Sequence, residues 1–299
     1  MLVILAMGYN IQAQQLTAKD LLWKQIEARN KVFSEAFVAG NVPKMMVTYF
    51  KGATLMPEHS AARHSPNAIA DFYKQWLAQA KVNSFKKTIY EVQDYGGYAI
   101  EIGTFIQNFT LKGGQPYNYI GKYMVVWRTS SQLDDALQIA AENWGANAPF
   151  NDKVLPQISG KDSSAQLQPA GNKALDAEVR SRNSLIGRLV TERKGAEHAL
   201  LFLPDAIYMT NYAPMLVGTK NITPYFAEHE KPGTLKINKL AINTLSITEA
   251  KTVVIEYGNY SVDWSDGPQK SSVTGKSINV WKRDSTGTLM LYRQMVNHD

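Results

Sequence analysis

Five histidines and no cysteine leave a short list of side chains for acid–base or metal chemistry in this 299-residue chain. His59 and His64 flank a segment just after a predicted short strand. Imidazole near neutral pH serves as a general base or as a metal ligand. No third ligand stands at a diagnostic spacing from them, and loop histidines are usually solvated. Glu142 opens the run Glu142-Asn143-Trp144 in a predicted strand. Buried beside Trp144 it would be a candidate acid or base; at an exposed sheet edge it would do no chemistry. Glu101 and Glu256 each stand two residues before a glycine, in matching surroundings that point to a shared structural task. Lys122 and Lys276 are their expected partners. The absence of cysteine excludes disulfides, thiolate metal sites and a thiol nucleophile. There is no phosphate-cradling glycine loop, metalloprotease helix or serine elbow, and the residues imply neither a metal nor a cofactor.

The elements that must position these groups occur twice. Leu22, Ile26, Phe33, Ala36 and Phe37 make one apolar stripe of an amphipathic helix. The stripe returns 153 residues later as Leu175, Val179, Ile186, Leu189 and Val190, and Arg29-Asn30 returns as Arg182-Asn183. Gly40 and Gly195 are the expected left-handed helix ends. Ala53 and Met56 match Ala206 and Met209 at the same offset, with a local slip between Phe50 and Phe202. Ile69 and Phe72 match Ile222 and Tyr225. The Glu101 strand pairs with the Glu256 strand at 155, and Gly121-Lys122 and Val126-Trp127-Arg128 pair with Gly275-Lys276 and Val280-Trp281-Lys282 at 154. Drift of a residue or two in loops is what tandem copies acquire.

Within each copy the expected order is long helix, short helix, short strand, third helix and then long strands. In the first copy the strands are read at 85–95, 97–110, 117–129 and 136–144, alternating apolar and polar as half-buried antiparallel strands do. Pro43 and Pro66 suit first helical turns, and Gly96-Gly97 and Gly113-Gly114 suit hairpins. The fold class is therefore α+β, with about three helices on a curved antiparallel sheet in each copy. The expected domains are 16–150 and 173–299, joined by a Gly-, Ser-, Pro- and Gln-rich linker over 151–172. Residues 1–15 read as the remnant of a signal peptide, with an apolar run from Leu2 to Met7 and small Ala13 before Gln14-Gln15. Export to the periplasm or medium is the expectation.

The chain carries 44% hydrophobic and 19% charged residues, enough for two self-sufficient cores. A formal charge of +6 is spread without a basic block, so no nucleic-acid partner is expected. No later stretch approaches the roughly 20 apolar residues of a transmembrane anchor.

Phe37-x-Ala39-Gly40-Asn41, Tyr49-Phe50-x-x-Ala53-Thr54-Leu55-Met56-Pro57, Ala68-Ile69-x-x-Phe72-Tyr73 and Gly121 to Arg128 together resemble the SnoaL-like branch of the NTF2-like superfamily, the cystatin-like cone fold. The resemblance spans about 120 residues of the first copy and is weaker over the second. It implies two tandem cones and leaves activity open, since this superfamily hosts isomerases, cyclases, dehydratases, hydrolases, binders and assembly modules. Ketosteroid isomerase-like members need a carboxylate base just after the first strand and a donor tyrosine on the first helix. The positions aligned with the base are Pro57 and Thr210, and those aligned with the tyrosine are Phe33 and Ile186. Neither Pro57 nor Thr210 can hold the proton, which disfavours steroid-type enolisation.

In that frame His59 and His64 lie near the mouth of the first cone, and Glu142 on its last strand. The weak catalytic candidates are those three. The expected ligand-binding residues are Met56, Trp76, Tyr119, Tyr123 and Trp144, with Tyr208 and Arg293 in the second copy. Aromatic walls with a few polar tips suit a small hydrophobic molecule. The alternatives are a SnoaL-like isomerase, dehydratase or hydrolase acting in the first copy, and a non-catalytic assembly module. The sheets of the two copies are expected to pair with each other as an internal pseudo-dimer.

Overall fold

The computed structural model describes residues 17–129, 137–160 and 172–299. The apolar N-terminal run and the central part of the linker lie outside these residues. The first half runs α1 (Ala18–Val38), α2 (Val42–Met46), β1 (Tyr49–Met56), α3 (Pro66–Gln79), β2 (Ala80–Asp94), β3 (Tyr98–Leu111), β4 (Pro116–Arg128) and β5 (Gln138–Ala146). The second half repeats it as α4 (Lys173–Thr191), α5 (Gly195–Ala199), β6 (Phe202–Met209), a short β7 (Leu216–Val217), α6 (Thr219–His229), β8 (Leu235–Ala250), β9 (Val253–Asp266), β10 (Gln269–Arg283) and β11 (Leu289–His298).

Local sequence sets these boundaries. Thr17 and Asp20 form a reciprocal capping box at the start of α1, Ser65 caps α3 ahead of Pro66, and Asn172 caps α4. The buried stripe of α1 is Ile26, Asn30, Phe33, Ala36 and Phe37, with a polar residue among the apolar ones. Gly40 takes the left-handed turn after α1 at φ +68°, but after α4 that turn falls on Arg193 at φ +58°, 153 residues on. Gly195 instead begins α5. It must lack a side chain there, because a Cβ would lie 2.0 Å from the Phe226 carbonyl oxygen. The strands correct a second reading. β1 and β6 share one burial pattern from Tyr49 and Phe202 onward, so Phe202 corresponds to Tyr49 and no slip occurs.

The strand orders are β1-β5-β4-β3-β2 and β7-β6-β11-β10-β9-β8. Both sheets are mixed rather than antiparallel throughout, since β1 joins β5 and β6 joins β11 in parallel. Helices cover one face of each sheet and enclose a core with it. In the first half that core holds Phe33, Phe37, Tyr73, Trp76 and Phe105; in the second it holds Val179, Ile186, Tyr208 and Phe226.

A third core joins the opposite sheet faces. Met56, Ile100, Ile102, Met124 and Val126 pack with Ile207, Met209, Ile255, Ile278 and Met295. Period-2 alternation explains the sorting: Leu55 turns into the first cone and Met56 turns out to the other sheet. Polar groups stitch the rim. Arg293 forks onto Glu91 at 3.0 and 2.8 Å, and Asn297 donates to the Met56 and Trp144 carbonyls at 2.9 Å each. Met56 and Arg293, expected to contact ligand, thus belong to the contact between sheets and line neither cone.

Candidate functional site

The two matched glutamates fall into place first. Glu101 is fully buried and accepts from Asn30 Nδ2 (2.6 Å), the Tyr123 hydroxyl (2.6 Å) and Trp127 Nε1 (2.8 Å). Glu256 accepts from Asn183 Nδ2 (2.6 Å), Thr244 (2.7 Å), Asn279 (3.0 Å) and Trp281 Nε1 (2.8 Å). These ties between first helix and sheet are structural. Their partners are the repeated Asn and Trp, not the lysines. Burial raises the Glu101 carboxyl above the usual range, opposed by Lys87 and the three donors. Lys122 donates to the Ala146 carbonyl. Lys276 donates to the Ser60 carbonyl at 2.7 Å, the His298 carbonyl at 2.8 Å and Asp299 at 2.8 Å.

The interior of the first cone holds a cavity of about 60 Å³. Phe33, Phe37, Phe72, Trp76, Phe85, Phe105 and Trp144 make its apolar wall, with Tyr119 and Tyr123 presenting ring faces. Two polar groups of different kinds interrupt that wall. One is a closed network: Lys87 Nζ pairs with Glu142 Oε1 at 2.6 Å, and both side chains are almost wholly buried. Tyr49 donates to Glu142 Oε2 at 2.8 Å, and its oxygen lies 2.8 Å from that of Tyr73. The Lys87 ammonium also sits 4.5 Å from the Tyr123 ring centroid. Glu142 is therefore neither an exposed edge residue nor an unpaired carboxylate. Burial, and next the charge of Glu142, hold the Tyr49 and Tyr73 hydroxyls well above their ordinary values.

The other is Glu58. Its Oε2 accepts from the Tyr119 hydroxyl at 2.5 Å and the Ala146 amide at 2.9 Å. Its Oε1 is buried and has no hydrogen-bond partner, although the residue borders the cavity. Burial lowers the nearby Lys122 to about 8, with the Glu58 charge acting in the opposite direction. Glu58 follows Pro57, the residue aligned with the superfamily base. Its carboxylate stands beside the cavity and was not singled out by the sequence.

His59 borders the same cavity, with its backbone in the left-handed region at φ +57°. Its Nε2 lies 3.0 Å from the Tyr212 hydroxyl, and the two rings stack at 5.9 Å. Tyr212 is its counterpart 153 residues on and takes φ +56°. His64 turns away: its Nδ1 is 3.3 Å from the Thr54 hydroxyl, and it does not line the cavity. Among the described residues no cluster of three or more His, Asp or Glu is placed to hold a metal ion, and no helix is long and apolar enough to cross a membrane.

Part of the expected linker also belongs to this site. Leu155 to Ile158 lie over the cavity. Gln157 and Gln79 exchange two hydrogen bonds, from the Gln157 amide at 2.9 Å and back to its carbonyl at 2.8 Å. The segment is a strap held on α3. The second cone holds a larger pocket, about 320 Å³ and more open to solvent, and Tyr208 lines it.

Trp76, Tyr119, Tyr123 and Trp144 are thus gathered in one cavity, and Glu142 and His59 join them. Glu58, Lys87 and Tyr73 complete that cavity, Tyr49 supports Glu142 from outside the lining, and all four escaped the sequence reading.

Helices over one face of a curved sheet, with polar groups gathered inside, make each half an α+β cone. No protein-family model matches the sequence, and no curated protein does. Among solved structures, a ketosteroid isomerase-like protein from Erwinia carotovora atroseptica is similar at 20% identity, over 42% of this chain and 96% of its own, with a TM-score of 0.38. A protein from Catenulispora acidiphila, solved in complex with S-DNPA, is similar at 22% identity over 43% of this chain and 96% of its own, with a TM-score of 0.40. An NTF-2-like protein of unknown function from Shewanella oneidensis is similar at 17% identity over 41% and 98%, with a TM-score of 0.33.

Proposed function

We propose that this chain binds a small, mainly apolar molecule in its first cone, and that the ligand presents one hydrogen-bond donor to Glu58. The observation that carries this reading is a glutamate lining an aromatic cavity whose Oε1 is buried and unpartnered. An acceptor left dry costs stability unless something donates to it, and a charged acceptor gains most from a partner. Size limits the candidates. A cavity of about 150 Å³ takes benzene, so 60 Å³ takes only a few non-hydrogen atoms while the strap is down. A ring-sized ligand enters by lifting Leu155 to Ile158. The core shared by the two sheets then serves as an internal pseudo-dimer contact, with a covalent link in place of association.

Phenol is a suitable probe, with one ring and one donor. Titration calorimetry should show one site in the native protein, and Glu58→Gln should weaken it about tenfold by replacing a charged acceptor with a neutral one. Equal affinity for the two proteins would remove Glu58 from the reading.

A second reading has one observation in its favour, a free carboxylate oxygen able to take a proton where Pro57 could not. Glu58 would then remove an acidic C–H proton from a small carbonyl compound. Acetone in heavy water tests this directly. Deuterium should enter its methyl groups faster with native protein than with the Glu58→Gln variant, and equal rates would exclude general-base chemistry here.

A further inference from the structure

The second cone carries a polar pair that the first cone lacks. His198 stands on α5 and Glu230 caps α6. Gly195 lets these helices approach closely, since even a Cβ there would strike Phe226. His198 Nδ1 consequently lies 2.9 Å from Glu230 Oε1, with the two side chains only 6% and 4% exposed. The imidazole packs on Phe226, ring centroids 4.2 Å apart. His198 Nε2 and Glu230 Oε2 are both buried without a partner, and both residues border the 320 Å³ cavity.

Helix packing does not require this pair. The residues 153 positions earlier are Met45, fully buried, and Leu77, packed on the first core. An apolar pair thus closes the same corner of the first cone. The walls differ as well. Phe33, Phe37 and Trp144 border the first cavity, whereas Ile186, Val190 and Val296 border the second. Smaller side chains leave room above the imidazole.

We propose that the second cone is a separate ligand site for a hydroxyl-bearing, ring-sized apolar molecule, with His198 Nε2 accepting the hydroxyl hydrogen. In the neutral ring Glu230 accepts the Nδ1–H, and Nε2 keeps its lone pair free for the ligand. The apolar rings and branched side chains take the body of the molecule. A cavity of about 150 Å³ takes benzene, so 320 Å³ admits two fused rings. This site is independent of Glu58 and stands whether or not the first cone binds anything.

The test compares 2-naphthol with naphthalene, which has the same rings and no hydroxyl, using the full chain. We expect 2-naphthol to bind about tenfold more tightly, the value of one hydrogen bond to a desolvated acceptor, and to move the His198 Nε2 ¹⁵N resonance. His198→Met with Glu230→Leu installs the pair found in the first half. That variant should bind both probes equally. The proposal is overturned if native protein shows no preference or binds neither probe, or if the His198 resonance stays fixed at saturation. It is also overturned if the folded double variant keeps the preference. Should that variant not fold, the ¹⁵N measurement on native protein decides.

Discussion

The two cones share strand order, helix order and a glutamate tied to the first helix, yet their interiors have diverged in opposite senses. In the first, aromatic side chains shrink the cavity to about 60 Å³. A carboxylate oxygen is left unpaired, and Lys87 is locked to Glu142. The second has Ile242 and Gln294 lining its wall, without that ion pair, and about 320 Å³ is open. Its unpaired groups belong to an imidazole and a carboxylate at another corner. Frame and interior are thus separable. The hydrogen-bonded frame persists while wall volume and polar placement change, as expected when sites are grafted on a fold.

That separation can be broken or sharpened by substitution. The largest effect is expected at the frame. Glu101→Leu strands three buried donors, and Glu256→Leu strands four. At about 1–3 kcal/mol per stranded group after relaxation, each variant should lose at least ~3 kcal/mol in urea unfolding. A small loss in one half alone would show that the frames are not equivalent. Next comes the wall. Trp144→Val, which places the second cone's residue in the first, should cost about 3 kcal/mol and admit phenol without strap movement. Val296→Trp should cost little, because the cavity exists to receive it, and should abolish 2-naphthol binding.

Smaller again is the seam between sheets. Arg293→Met should lose about 1–3 kcal/mol, the value of hydrogen bonds to a charged group, and leave phenol affinity unchanged because Arg293 touches neither cavity. The last effect is confined to acid pH and vanishes near neutrality. Burial, helped by the positive charges of His59 and Lys276, lowers His298 from 6.5 to about 4. The unfolded ring takes a proton as pH falls through 6.5 while the folded ring stays neutral until about 4. Stability from this group is therefore complete above 6.5 and declines toward pH 4. His298→Gln should flatten the midpoint of thermal unfolding over that window.

Much of the frame was legible because it depends on periodicity and on the 153-residue echo. The stripe of α1, the order of elements and the Glu101–Glu256 match all follow from side-chain type and spacing. Failures came where tertiary geometry decides. Met56 is apolar either way, and only the parity of β1 against a second sheet sends it outward. The left-handed turn at Arg193 defies the usual preference for glycine. Glu58 was hidden because it stands in the loop after β1, where no periodicity shows which side chain enters the cone. His198 and Glu230 did leave a signal. Both replace apolar residues of the first half at the common offset, and polar substitution at a core position is itself a pointer to a site.

The most direct test of the first-cone reading is a crystal structure, at a resolution that shows ordered water, of protein purified without added ligand. We expect density inside the first cone within about 3 Å of Glu58 Oε1, from water or a carried-through small molecule, beneath the strap. A dry cone in which Oε1 instead accepts from Lys122 or another group of the chain would contradict the assignment of Glu58 as a ligand anchor.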